Sequence, residues 1–134
     1  MIPWKLLPLV VAGGVVGVAL RQAMMLTFEG GLSFGALVGT ILVNALGSGV
    51  LGFVAGRLGD RSPARRAFLG TGLLGGFTTY SGFAVLIAEF TSYGLVVLMV
   101  LFAGVALLAA GAAAILGLQA GSALARRARG EEAA

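Results

Sequence analysis

Thr71-Gly72-Leu73-Leu74-Gly75-Gly76-Phe77-Thr78-Thr79-Tyr80-Ser81-Gly82-Phe83 is the stretch on which the fold turns. It sits inside an apolar run from Ala67 to Phe90, long enough to cross a hydrocarbon core that takes about 20 helical residues. Adjacent glycines followed by four hydroxyl-bearing residues occupy its middle, where an unbroken membrane helix favours Leu and Ile. The pattern predicts a helix that unwinds over residues 75–81. Non-helical backbone at membrane depth persists only where protein buries it or where it lines a cavity. Unwinding frees carbonyl oxygens for a small hard cation and exposes a half-helix N-terminus whose N–H groups favour an anion. A glycine-assisted kink without function is the alternative. Tyr80 and Phe83 share a face of the resumed helix. Their electropositive ring edges can stabilise an anion that has lost its water, although an aromatic pair also serves as packing.

Three more apolar stretches flank this one: Leu6–Leu26, Phe34–Ala55 and Gly94–Gln119. The breaks fall at Thr27–Ser33, Arg57–Arg66 and Thr91–Tyr93. The expected architecture is an all-α membrane protein of four transmembrane helices, the third broken mid-span. Residues 1–125 form the membrane domain, and 126–134 a solvated, frayed tail. Composition agrees. Hydrophobic residues make up 59% of the 134, charged residues 10%, and the mean hydropathy is +1.05, against about 45–50% and about 25% in soluble domains. A cleavable signal peptide is a poor reading of the N-terminus, because the first stretch is too long and contains Arg21.

The absent residues exclude chemistry. There is no Cys and no His, hence no thiolate nucleophile, no Cys/His zinc site and no Ser-His-Asp triad. Asp60 and Glu29, Glu89, Glu131 and Glu132 are the only carboxylates, and they do not pair on one buried face. The reading is binding or conduction, not an enzyme.

Charge fixes an orientation. With four spans, Lys5, Arg57, Arg61, Arg65, Arg66, Arg126, Arg127 and Arg129 share one side, eight of the nine basic residues. Lys and Arg near span ends favour the cytoplasm, so both termini are expected there, in the cell membrane. The high pI follows from topology. No aromatic platform accompanies the basic residues, as single-stranded nucleic-acid binding would need.

Three further features stand out. Gly13-x3-Gly17, Gly35-x3-Gly39, Gly52-x3-Gly56 and Gly72-x3-Gly76 each place two glycines on one helix face, where backbones can approach closely. Arg21 continues the first of these faces. It either snorkels from the end of span one or acts inside as an anion-attracting or helix-tethering cation. Thr40, Asn44 and Ser48 recur every four residues along span two. The Asn44 amide needs partners outside its own helix, either as an interhelical bond or as the lining of a polar path.

With these motifs in place the chain resembles the CrcB/Fluc family of fluoride channels. The likeness rests on Gly13-Gly14-x2-Gly17-x3-Arg21, Gly39-Thr40-x3-Asn44-x2-Gly47 and Gly72-x2-Gly75-Gly76-x-Thr78-Thr79-Tyr80-Ser81-x-Phe83. It implies a passive fluoride channel that lowers cytoplasmic fluoride, built as an antiparallel dimer with a structural sodium ion at its centre. The sodium ligands carried over are the backbone carbonyls of Gly75 and Thr78. Asn44, Thr79, Tyr80, Ser81 and Phe83 would line the anion path, with Arg21 structural or anion-attracting. Such neutral dipoles can replace water around an anion without trapping it.

The chain departs from the family pattern at three places. Tyr80 stands where the family usually has Phe, Gly82 where it has Ser or Thr, and the fourth span has no Ser, Thr, Asn or Tyr from Gly94 to Leu118. A subunit inserted in both orientations needs balanced basic charge, and eight against none is not balanced. The expectation is therefore one fixed-orientation half of a heterodimeric channel, its partner a paralogue of opposite bias. A non-conducting partner subunit is the alternative. A small multidrug exporter would need a carboxylate within span one, which has none.

Overall fold

In the computed structural model, residues 4–28, 34–59 and 62–131 are described. A 3-10 turn, Trp4–Leu6, leads into α1 (Leu7–Leu26), followed by α2 (Phe34–Leu58). The third span is assembled from α3 (Pro63–Arg65), a π-helical stretch Arg66–Leu74, α4 (Gly75–Phe77) and α5 (Ser81–Ser92). The last described element is α6 (Val96–Glu131). Among the described residues, four segments are long and apolar enough to cross a membrane: 4–26, 34–58, 63–92 and 96–130. Glu29, Asp60, Arg61 and Glu132 lie outside the described residues.

Local chemistry sets the helix ends. Pro8 and Pro63 stand in first turns, where a missing N–H does no harm. Gly59 at φ 49° stops α2, its N–H bonded to the Ala55 carbonyl at 3.1 Å. Gly94 at φ 77° closes α5 in a Schellman turn. Its N–H reaches Thr91 O at 2.9 Å, and the Leu95 N–H reaches Phe90 O at 3.1 Å.

The helices pack as two parallel pairs in backbone-to-backbone contact. A Cβ added at Gly13 would strike the Phe68 carbonyl, and one at Gly17 the Leu73 carbonyl. One at Gly76 would lie 2.6 Å from the Gly14 carbonyl oxygen. These contacts run in register, so α1 and the third span are parallel. In the second pair a Cβ at Gly52 would strike Ala114 O, at Gly56 Leu118 O, at Gly117 Gly49 O and at Gly121 Phe53 O. Gly117 and Gly121 carry the four-residue spacing within α6 and complete that face. The pairs meet antiparallel, since Gly47 packs on Thr78 while Leu51 approaches Gly70. An apolar cluster of Leu37, Leu86, Phe90, Met99 and Phe102 is buried where α2, α5 and α6 meet.

Two boundaries differ from expectation. Gly75–Phe77, expected to unwind, is helical, and π geometry takes the preceding nine residues. Residues 126–131, expected as a frayed tail, extend α6 as helix. Ala123, Ala125 and Ala128 among the arginines make that segment a good helix former. At about 1.5 Å per residue, the 36 residues of α6 span about 54 Å, well beyond the roughly 30 Å hydrocarbon core.

Candidate functional site

The chemistry converges on the α4–α5 junction. Thr78 has φ −73° and ψ 153°, an extended conformation between α4 and the start of α5 at Ser81. Two side chains divert donors that a continuous helix would have used. The Thr79 N–H, which would have bonded to Gly75 O four residues back, donates to Asn44 Oδ1 at 2.9 Å. The Gly82 N–H, the corresponding donor for Thr78 O, reaches Thr79 Oγ1 at 3.1 Å. Thr79, one residue before the N-cap Tyr80, thus satisfies an N–H of the first turn of α5.

Asn44 closes the arrangement from α2. Its Nδ2 donates to Thr79 O and to Thr40 O, each at 3.0 Å, while its Oδ1 accepts from Thr79 N–H. A side-chain amide takes the place of a peptide group and grips the Thr79 backbone from both sides. The interhelical bond that the sequence allows is therefore present, and Asn44 also lines the adjoining cleft. Thr40, from the same stripe, is buried.

Arg21 reaches the junction from α1. Its Nη1 donates to the Thr78 carbonyl at 3.4 Å, a long bond between a full positive charge and a carbonyl dipole. The close Gly17–Leu73 contact one turn earlier delivers it there. Thr78 Oγ1 is engaged with Leu74 O at 3.0 Å, and the Thr79 and Ser81 hydroxyl oxygens lie 3.3 Å apart.

A cleft of about 510 Å³ opens beside the junction. Asn44 and Ser48 from α2, Thr78, Thr79 and Tyr80 from the junction, and Phe83 from α5 form one side. Ala103, Ala106, Leu107 and Ala110 of α6 face them. Gly75 and Ser81 are not part of its lining. Phe83 is stacked on Phe102 with centroids 5.3 Å apart and planes at 23°. Tyr80, 82% exposed, lies 6.2 Å from Phe83. The cleft thus brings together Asn44, Thr78, Thr79, Tyr80 and Phe83 of the residues singled out from sequence. The alanine stripe of α6 was missed, and its three- and four-residue spacing is the signal that reveals it.

The helix packing also gathers charge. Parallel pairing within each pair and antiparallel packing between them put Lys5, Arg57, Arg65, Arg66, Arg126, Arg127 and Arg129 at one end of the bundle. Arg66 Nη1 donates to Gly59 O at 3.2 Å.

A four-span, all-helical membrane protein with hydroxyls, an amide and aromatic rings gathered at an interhelical cleft is the class these features define. The family profile described as CrcB-like protein, Camphor Resistance (CrcB), matches residues 8–118, and the chain belongs to this family. It is 39% identical over 114 residues to a Hyphomonas neptunium protein named Fluoride-specific ion channel FluC, covering 82% of this chain and 90% of that one. A Nitrobacter hamburgensis protein named Fluoride-specific ion channel FluC 2 is 36% identical over 121 residues, or 88% of this chain and 94% of its own length. Another of that name from Corynebacterium jeikeium is 36% identical over 122 residues, 90% and 71% of the two chains.

Proposed function

We infer that the protein is a subunit of a passive fluoride channel in the cell membrane, with the third span broken at the α4–α5 junction. The observation that carries this reading is the Asn44 grip on Thr79. It holds non-helical backbone open at membrane depth, next to a cleft that offers neutral dipoles. Dehydrating a small anion in an apolar medium costs on the order of 20 kcal/mol. A path must therefore supply closely spaced weak partners, and the Thr79 hydroxyl, with Ser81 Oγ 3.3 Å from it, and the Tyr80 and Phe83 ring edges are of that kind, while Asn44, both of whose N–H groups are spent on Thr40 O and Thr79 O, holds the wall beside them. The names of the relatives support fluoride as the ion. No energy source or catalytic group is needed for such a pore.

The carbonyls of Gly75 and Thr78 suit a structural sodium ion. Their helical donors are the two diverted to Asn44 and Thr79, the Thr78 oxygen keeping a second lone pair beside the long bond from Arg21, and neutral carbonyl oxygens match a hard monovalent cation. A bound sodium would supply fixed positive charge beside Arg21. The complete channel pairs this subunit with a second in antiparallel orientation, and the concentration of basic residues at one end points to a paralogue of opposite bias. Both termini then face the cytoplasm.

The deciding experiment is fluoride efflux from liposomes carrying this subunit together with a paralogue of opposite charge bias, with sodium present or replaced by a large organic cation. Efflux well above protein-free vesicles, lost on replacement, is expected. Equal rates with and without the two subunits would remove the channel reading. The apolar α6 wall of the cleft favours one second reading, a non-conducting partner subunit. Efflux that appears only on co-reconstitution with a paralogue, and that survives Asn44→Asp here, would assign that role.

A further inference from the structure

Two smaller grooves leave the cleft toward the basic end of the bundle. One, about 260 Å³, runs between α2 and α6 and is lined by Ser48, Leu51, Gly52, Ala55, Ala114, Ile115 and Leu118. The other, about 250 Å³, runs between α2 and the π-helical stretch and is lined by Leu51, Val54, Ala55, Arg66, Gly70 and Thr71. Among the described residues, Leu51 is the one common to the cleft and both grooves. It projects from α2 across Gly70, where an added Cβ would lie 3.7 Å from Leu51 Cδ1. Gly70 lies within the π-helical stretch Arg66–Leu74, and π segments inside helices recur at functional sites.

We propose that Leu51 is a hydrophobic constriction between the Asn44 cleft and the basic end, and that the anion route continues through the groove between α2 and the π-helical stretch, past Thr71 to Arg66. This rests on the channel reading and adds a route and a gate to it. Among the described residues, Ser48 is the sole polar side chain lining the α6-side groove, so an anion there would meet almost no dipole to replace its water. The π-side groove offers the Thr71 hydroxyl and ends at the Arg66 guanidinium. A narrow apolar collar between wet compartments controls passage by whether water fills it, so its width and polarity set the rate.

The chain has no cysteine, so single thiols can be introduced cleanly. Leu51→Cys, Thr71→Cys, Ala114→Cys and Val50→Cys are compared in intact proteoliposomes, using an anionic, membrane-impermeant thiol reagent added from the basic side. Leu51→Cys and Thr71→Cys should react at least about tenfold faster than Val50→Cys, which lines neither the cleft nor the grooves, and than Ala114→Cys in the dry groove. Labelled Leu51→Cys should then lose fluoride efflux, and Leu51→Trp should do so without a label. Leu51 and Thr71 variants as inert as Val50→Cys would overturn the route, and fast reaction at Ala114→Cys alone would move it to the α6 side. Unchanged efflux in both Leu51→Trp and labelled Leu51→Cys would overturn the gate. Because labelling does not depend on conduction, a protein that labels as expected yet passes no fluoride would fail the channel reading and leave the groove standing.

Discussion

The two helix pairs use the same device for opposite ends. Between α2 and α6, glycines on both partners bring the backbones together along uninterrupted helices. Between α1 and the third span, similar glycine contacts lead directly into π geometry and then into the α4–α5 junction. The two pairs differ in the residues that neighbour the glycines. On the α2–α6 side, Ala113, Ala114 and Leu118 continue a regular helix, whereas beyond Gly76 come hydroxyl residues that hydrogen-bond locally and compete with the helical ladder. Close approach alone makes a rod. With Arg21 and Asn44 brought alongside by the neighbouring helices, it also stabilises a discontinuity.

The harshest way to break that comparison is to wedge each pair apart. Gly17→Leu and Gly117→Leu both drive a side chain into a facing backbone carbonyl that cannot move aside. Both should sit at or above the upper end of the roughly 1–3 kcal/mol that overpacking costs, read as loss of the monodisperse peak on size exclusion. Gly111→Leu, with open space around it, should run as wild type. A Gly117→Leu protein that remained folded would show that the α2–α6 contact is dispensable.

Asn44→Ala acts on one side of the comparison alone. It leaves the Thr79 N–H and carbonyl without their partner, at about 1–3 kcal/mol for the unsatisfied group, and should lower thermal stability while removing most fluoride efflux. Asn44→Asp keeps the acceptor for Thr79 N–H but loses the donor and adds negative charge, so efflux should fall further than stability does. Unchanged efflux in Asn44→Asp would take Asn44 off the anion path.

Arg21→Gln tests the other arm of the junction. The bond to Thr78 O is long, so its loss should lower the melting temperature by less than Asn44→Ala. A larger drop would mean that α1, more than α2, holds the junction. The smallest effect is expected at Tyr80→Phe. This exposed ring keeps its edge and loses only a hydroxyl, so efflux should stay within about twofold of wild type. Tyr80→Ala removes the ring and should reduce efflux clearly.

The four spans can be read from hydropathy alone, and the shared glycine faces from four-residue spacing. The features that escape the sequence depend on neighbours. Asn44 declares that it needs partners outside α2, but nothing local says that its partner is the backbone of Thr79, 35 residues away. The π register over Arg66–Leu74 is another case. Its glycines look equally suited to an α-helix, and α1 pressed against Gly72, with Val10 O 2.6 Å from an added Cβ, is visible only in three dimensions. Gly117 and Gly121 lie in plain view at the right spacing, yet they matter because Gly49 and Phe53 present carbonyls to them. The C-terminal segment misleads because its charge suggests solvation, while its alanine content favours continued helix.

The length of α6 carries a practical corollary. A rod of 36 residues threaded through a layer that accommodates about 20 leaves several turns standing in water like a mast. Its outermost turns hold three arginines, which keep that end in water. A reporter or affinity handle joined there would be lifted clear of the bilayer, away from the cleft and both grooves.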